Sequence, residues 1–195
     1  MLTIFHLPRT RSLRIVWLAE EMRLPYELKI EAIGRPSPEF LRANAVGSLP
    51  AIVDGDVAMG ESVAIMHYLT ERHGPTSLAR RPGELRYGDY LQHLVGGESS
   101  MAAFLNPVAA TPKEQRQNVT AESAKAAFLR RVVALASLVE QGDYVAGEFT
   151  AADISVGYAL WMGSVLGLDS EYPDAVRIYL DRLLARPAYQ AASAK

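Results

Sequence analysis

The stretch Gly47-Ser48-Leu49-Pro50-Ala51-Ile52-Val53-Asp54-Gly55-Asp56-Val57-Ala58-Met59-Gly60-Glu61-Ser62-Val63-Ala64-Ile65 constrains this chain more than any other. Val53 and Val57 flank Asp54-Gly55-Asp56, and an Asp-Gly turn between apolar residues predicts a β-hairpin. Pro50 has no N–H to give to a sheet ladder, so it belongs at the start of the first hairpin strand. Glu61 and Ser62 then stand at the mouth of a helix that runs through Ile65, Met66, Tyr68 and Leu69. A helix mouth offers unpaired N–H groups and a positive dipole end, which suit a carboxylate or a phosphate. The stretch reads as a binding edge, a proline-opened strand beside an anion-receptive helix start. An ordinary helix cap is the plainer reading of Glu61-Ser62, and the two are compatible.

The segments around it fall into two blocks. Leu2 to Leu7 alternates as a strand, Pro8 to Arg11 is a loop, and Ser12 to about Arg23 has Ile15, Val16, Ala19 and Met22 at helix spacing. Pro25 to Ile30 is a second strand, and Ser37 and Pro38 are the cap and first residue of a short helix. Strand, helix, strand, helix, hairpin, helix is the order of a thioredoxin-like α/β unit, here residues 1–75, ending at the breaker pair Gly74-Pro75. Residues 76–84 read as linker and 85–195 as an all-α domain. A long helix is expected from about Glu84 to Leu105, bent at Gly96-Gly97, then a break from Asn106 to Pro112. Phe128, Val132, Leu135 and Val139 give the next helix one apolar face. Thr150 and Asp153 have the spacing of a variant capping box, with Phe149 and Ile154 as its hydrophobic staple. Tyr172 to Leu184 and Pro187 to Ala192 are the last helical patterns.

Composition removes several classes of function. The 195 residues carry a net charge of −2, which gives no electrostatic case for nucleic acid. No apolar run is long enough to cross a membrane, and Met1 to Phe5 lacks the build of a signal peptide, so a soluble, cytoplasmic protein is expected. The chain has no cysteine, which excludes disulfides, thiolate metal sites and a cysteine nucleophile of its own. His6, His67 and His73 show no metal-ligand spacing and read as structural; no metal is expected.

Ser-Leu-Pro-Ala-Ile, an acidic turn, then Glu-Ser-x-Ala-Ile-x-x-Tyr-Leu resembles the glutathione-binding core of the cytosolic glutathione transferase family. The capping box about ninety residues later matches the helical domain of the same family. The resemblance therefore covers nearly the whole chain. It implies that Pro50 is cis, although X–Pro bonds at large are mostly trans. It implies that the Leu49 backbone clamps the cysteinyl part of glutathione and that Glu61 and Ser62 hold the γ-glutamyl end. It places the thiol-activating hydroxyl in the loop before the first helix. No tyrosine stands there; alignment of Arg14-Ile15-Val16-Trp17-Leu18 puts Thr10 on that position and Ser12 two residues on, where some bacterial members place an assisting polar residue, so Thr10 and Ser12 are the catalytic candidates. Ser12 also reads as a plain helix cap. Arg11 is a candidate to neutralise a thiolate or a carboxylate. Ser48 stands where many members carry a lysine for the glycyl carboxylate, with Arg35 and Arg42 as possible substitutes.

The family lines its electrophile pocket, between the domains, from the first loop and the long helix. Here that implies His93, Gly97, Ser100, Met101, Phe104 and Leu105, with Gly96-Gly97 leaving room near the sulfur. The implied protein is a homodimeric glutathione transferase acting on a small hydrophobic electrophile in detoxification. Two alternatives share the resemblance, besides glutathione-dependent isomerisation or ether cleavage at the same site, whose isomerase branch carries a Ser-Ser-Cys type first-loop motif that is absent here. One is glutathione-dependent disulfide or peroxide reduction with both thiols supplied by glutathione. The other is a non-catalytic interaction module, which predicts a ruined binding edge, whereas Leu49-Pro50 and Glu61-Ser62 are intact.

Overall fold

The computed structural model describes residues 1–32 and 34–195. It divides into two compact units, Met1–Ala79 with Ala185–Lys195, and Arg80–Leu184. The first unit holds β1 (Leu2–His6), α1 (Leu13–Glu21), β2 (Tyr26–Ile30), α2 (Pro38–Ala43), β3 (Ala51–Asp54), β4 (Val57–Gly60) and α3 (Ser62–Arg72). The sheet order is β2-β1-β3-β4, parallel between β1 and β2 and antiparallel elsewhere. This is the thioredoxin-like arrangement expected from the order of elements. Ser37 caps α2 as predicted, its hydroxyl accepting from the Phe40 N–H at 3.1 Å.

Periodicity gives α1 one apolar face, yet Leu13 through Ala19 are all buried. The reason lies at the other end of the chain. α9 (Pro187–Ser193) packs on α1, with Tyr189 edge-on to Trp17 at 5.0 Å and Arg186 forked onto Glu21 at 2.6 and 2.9 Å. Residues 185–195 thus pack with the first unit, whereas the sequence assigns them to the helical domain.

The second unit contains α4 (Tyr87–Gly96), a π-helical turn (Gly97–Ala102), α5 (Ala103–Ala110), α6 (Val119–Gln141), α7 (Ala151–Val165) and α8 (Asp174–Leu184). α4 begins after Arg86 rather than at Glu84, because Arg86 is left-handed at φ 62° and cannot continue a right-handed helix. The expected break at Asn106 is absent. α5 runs through Pro107 to Ala110, anchored by the buried Leu105 and Val108 on either side of the proline.

Gly97 is buried against α7. A Cβ there would lie 2.4 Å from the Ser155 hydroxyl and 2.6 Å from its backbone carbon. The space that Gly97 leaves is therefore filled by α7, whereas a Cβ on Gly96 would meet nothing within 4 Å. Gly97→Ala is expected to destabilise the protein by about 1–3 kcal/mol, read as a lowered denaturation midpoint, since backbone rather than a flexible side chain must yield. An unchanged midpoint contradicts this packing role.

The capping box between Thr150 and Asp153 is present at the start of α7. Asp153 accepts from the Thr150 N–H at 2.8 Å, the Val145 N–H at 3.0 Å and the Tyr179 hydroxyl at 2.8 Å. Burial pushes its carboxyl above the ordinary range, against the pull of these donors.

Candidate functional site

The sheet register assembles the site. Phe5 pairs with Ala51, and Ala51 pairs with Gly60, so one step further along sets Pro50 beside His6 and Glu61 beside Pro50. Strands lie about 4.8 Å apart, so the segment after β1, the segment before β3 and the segment after β4 meet within about 10 Å. The Leu49–Pro50 bond is cis, the isomer implied by the resemblance. The Leu49 side chain packs on the Phe5–Phe40–Ala51 cluster, which anchors the backbone it presents.

Both α1 and α3 start at this end of the sheet, and neither first turn carries an acid to offset its positive pole. Glu61 precedes α3 with φ 68° and is exposed, a sparsely populated conformation for a residue with a side chain. Its side chain does not cap α3. Ser62 is buried and accepts from the Arg14 Nη1 at 2.9 Å, so its hydroxyl is not a cap either. Arg14 itself is fully buried and ties α1 to the start of α3. Nothing in sequence spacing singles out this link, because the two residues are 48 apart.

The loop after β1 carries a compact array of hydroxyls. Thr10 Oγ1 donates to the Leu7 carbonyl at 2.8 Å and lies 2.7 Å from Ser12 Oγ. Ser12 Oγ lies 2.8 Å from His6 Nδ1 and accepts from the Leu7 N–H at 3.2 Å. Ser12 occupies the N-cap position of α1, yet its side chain makes no capping bond. The cap reading of its hydroxyl is thereby corrected. Thr10 and Arg11 are half-buried, while Ser12 and His6 are buried. The sequence reads His6 as structural only, because strand alternation gives no sign of a polar partner six residues on.

Burial, and secondarily the Lys195 ammonium, lower the His6 pKa to about 4. The unfolded imidazole takes a proton near pH 6.5 while the folded one stays neutral. The sign follows: the unfolded state binds the extra proton, so stability is full above about pH 6.5 and falls as pH drops toward 4. Urea titrations across that window are expected to show a loss in the wild type that is reduced in His6→Asn. Equal pH slopes in the two proteins contradict a neutral folded imidazole.

Ser48 is exposed. Its carbonyl accepts from Asn44 Nδ2 at 2.7 Å, so Asn44 shapes the approach to Leu49. Arg35 and Arg42 are exposed as well. His93, Ser100 and Met101 line a cavity of about 580 Å3 in the second unit, together with Asp89, Gln92, Gly96 and Arg131. Burial pulls the His93 pKa below its ordinary value, against the Asp89 carboxylate. Phe104 lies under the Arg131 guanidinium at 4.8 Å. Among the described residues no cluster of histidine and carboxylate groups can hold a metal. No described helix is long and apolar enough to cross a membrane.

Residues 10–72 match the family model of the glutathione S-transferase N-terminal domain. Glutathione S-transferase 3 of Schizosaccharomyces pombe is 38% identical over 78 residues, 39% of this chain and 32% of that protein, so this chain spans about a third of it. Probable glutathione S-transferase GSTF1 of Oryza sativa is 28% identical over 95% of this chain and 91% of its own length. A sphingomonad glutathione S-transferase complexed with glutathione superposes with a TM-score of 0.86 at 23% identity, covering 98% of this chain and 97% of that one. The mixed sheet unit and the helical unit each take the form expected from that likeness.

Proposed function

We propose, since this chain belongs to the glutathione S-transferase family, that it binds glutathione at the end of β1 and joins the thiol to a small apolar electrophile. The observation that carries this reading is the meeting of cis-Pro50, Glu61-Ser62 and the Thr10 hydroxyl at one end of the sheet. The Leu49 backbone holds the cysteinyl part, and Glu61 and Ser62 the γ-glutamyl end. Arg11 is a further contact for glutathione. The thiol, with a pKa near 8.5 in solution, is mostly protonated at neutral pH. Thr10 donates to the sulfur and favours the thiolate, helped by the positive start of α1. The thiol proton goes to solvent, the sulfur attacks the electrophilic carbon, and the leaving group departs with its electron pair. From the family resemblance, His93, Ser100, Met101 and Phe104 are the candidates to contact the electrophile; Gly97 is covered by α7. From the family resemblance the reading extends to a homodimer working in cytoplasmic detoxification.

The test is calorimetry with glutathione, paired with conjugation of a chloronitroarene. Binding with turnover supports the enzyme. Binding without conjugation moves the reading to disulfide or peroxide reduction. Absence of binding ends both and leaves the interaction module.

A further inference from the structure

His6 sits at the end of β1, 1% exposed, and its ring reaches the hydroxyl array through a single contact, Nδ1 to Ser12 Oγ at 2.8 Å. Nε2 is buried and has no partner among the described residues. A neutral imidazole carries one N–H, and a buried N–H without an acceptor is costly. Counting donors therefore puts the proton on Nδ1, where Ser12 Oγ receives it. The low pKa of the buried ring agrees with the neutral form.

That assignment sets the direction of every later bond. Ser12 Oγ accepts from His6 Nδ1–H and from the Leu7 N–H, so its own proton must point outward. Its nearest acceptor is Thr10 Oγ1 at 2.7 Å, with the Leu7 carbonyl at 3.2 Å. Thr10 Oγ1, accepting from Ser12, has its own proton left to give. At rest that proton goes to the Leu7 carbonyl at 2.8 Å. When an anion arrives, Thr10 can turn toward it without orphaning that carbonyl, which still accepts from the Thr10 N–H at 3.3 Å. Hydrogen bonds in a chain polarise one another, so each link makes the last donor stronger.

We infer that His6 is a positioning residue for thiol activation: through Ser12 it forces the Thr10 hydroxyl to act as a donor toward the bound sulfur. The inference rests on the glutathione transferase reading above and names a residue six positions before Ser12 as part of the same device. Without His6, Ser12 regains freedom to accept from Thr10, and the direction of the chain is lost.

Two variants and one measurement on the wild type test it. In His6→Phe the bound glutathione thiol is expected to titrate about one pH unit higher, and kcat/KM on the acid side of the profile to fall about tenfold. Affinity for S-methylglutathione, which has no thiol, stays unchanged. His6→Asn places an amide N–H near the position of Nδ1 and is expected to restore most of the loss. Nitrogen NMR of the ligand-free wild type is expected to show the Nδ1–H tautomer of His6. An Nε2–H tautomer, an unmoved thiol pKa in His6→Phe, or His6→Asn failing together with His6→Phe each overturns the inference. Failure of the wild type to bind S-methylglutathione overturns the transferase reading instead, and the NMR tautomer still judges the hydrogen-bond chain by itself.

Discussion

Thr10→Val is expected to lower kcat/KM for conjugation by about 10²-fold while glutathione still binds, the size of effect seen when one preorganised donor to a developing anion is removed. Valine keeps the β-branched shape and removes only the hydroxyl. Ser12 retains the Leu7 carbonyl at 3.2 Å as an acceptor, so the loop keeps a bonded arrangement without Thr10 Oγ1. The loss belongs in kcat, because the donor matters most when the sulfur is charged, and the glutathione KM should move little. The bound thiol should titrate at higher pH, and activity should recover as pH is raised past that value. Thr10→Ser, which keeps the hydroxyl, should retain most of the rate. A Thr10→Val protein with undiminished kcat/KM would move the thiolate donor elsewhere, and Arg11 would be the next residue to change.

Asp153→Ala is expected to destabilise the protein by about 3–5 kcal/mol. The carboxylate is fully buried and collects the Val145 N–H, the Thr150 N–H and the Tyr179 hydroxyl, which alanine would leave without an acceptor. These donors come from the segment before α7, from the start of α7 and from α8, so one side chain stitches three parts of the helical unit. The total stability of a domain is about 5–15 kcal/mol, so the change is a large fraction of it. Urea denaturation followed by circular dichroism reads it directly. Tyr179→Phe removes one donor with its partner still satisfied by the others and should cost far less. A shift in Asp153→Ala below about 1 kcal/mol would mean that the buried donors find other acceptors.

Asp153 also shows what kind of information a sequence carries plainly. Its bond to the Thr150 N–H spans three residues, so the spacing of Thr150 and Asp153 is enough to predict it. The bond from Tyr179, twenty-six residues on, has no such signature, and neither has the one from Val145. The same divide runs through the candidate site. The hairpin around Asp54-Gly55-Asp56 and the helix start after Glu61 are local and legible. The role of Ser12 is not, because a serine before a helix predicts a cap equally well; only the position of His6 turns its hydroxyl away from the helix. Gly97 gave the opposite lesson. The pair Gly96-Gly97 reads as room for a ligand; a packed neighbour 58 residues later fills the space at Gly97, while the space at Gly96 stays open.

By itself the sequence determined the order of strands and helices in the first unit, the hairpin turn, the cap of α2 and the capping box of α7. All of these rest on backbone preferences and contacts within a few residues, which act before any distant part of the chain arrives. Tertiary structure alone decided that Leu13 through Ala19 of α1 are all buried, with α9 packed on the helix, that Arg14 reaches Ser62, and that His6 meets Ser12. Each of these is a pairing of segments brought together by the register of the sheet and the burial of apolar faces. The directional hydroxyl chain at Thr10 exists only once β1 and the loop after it have been locked into that frame.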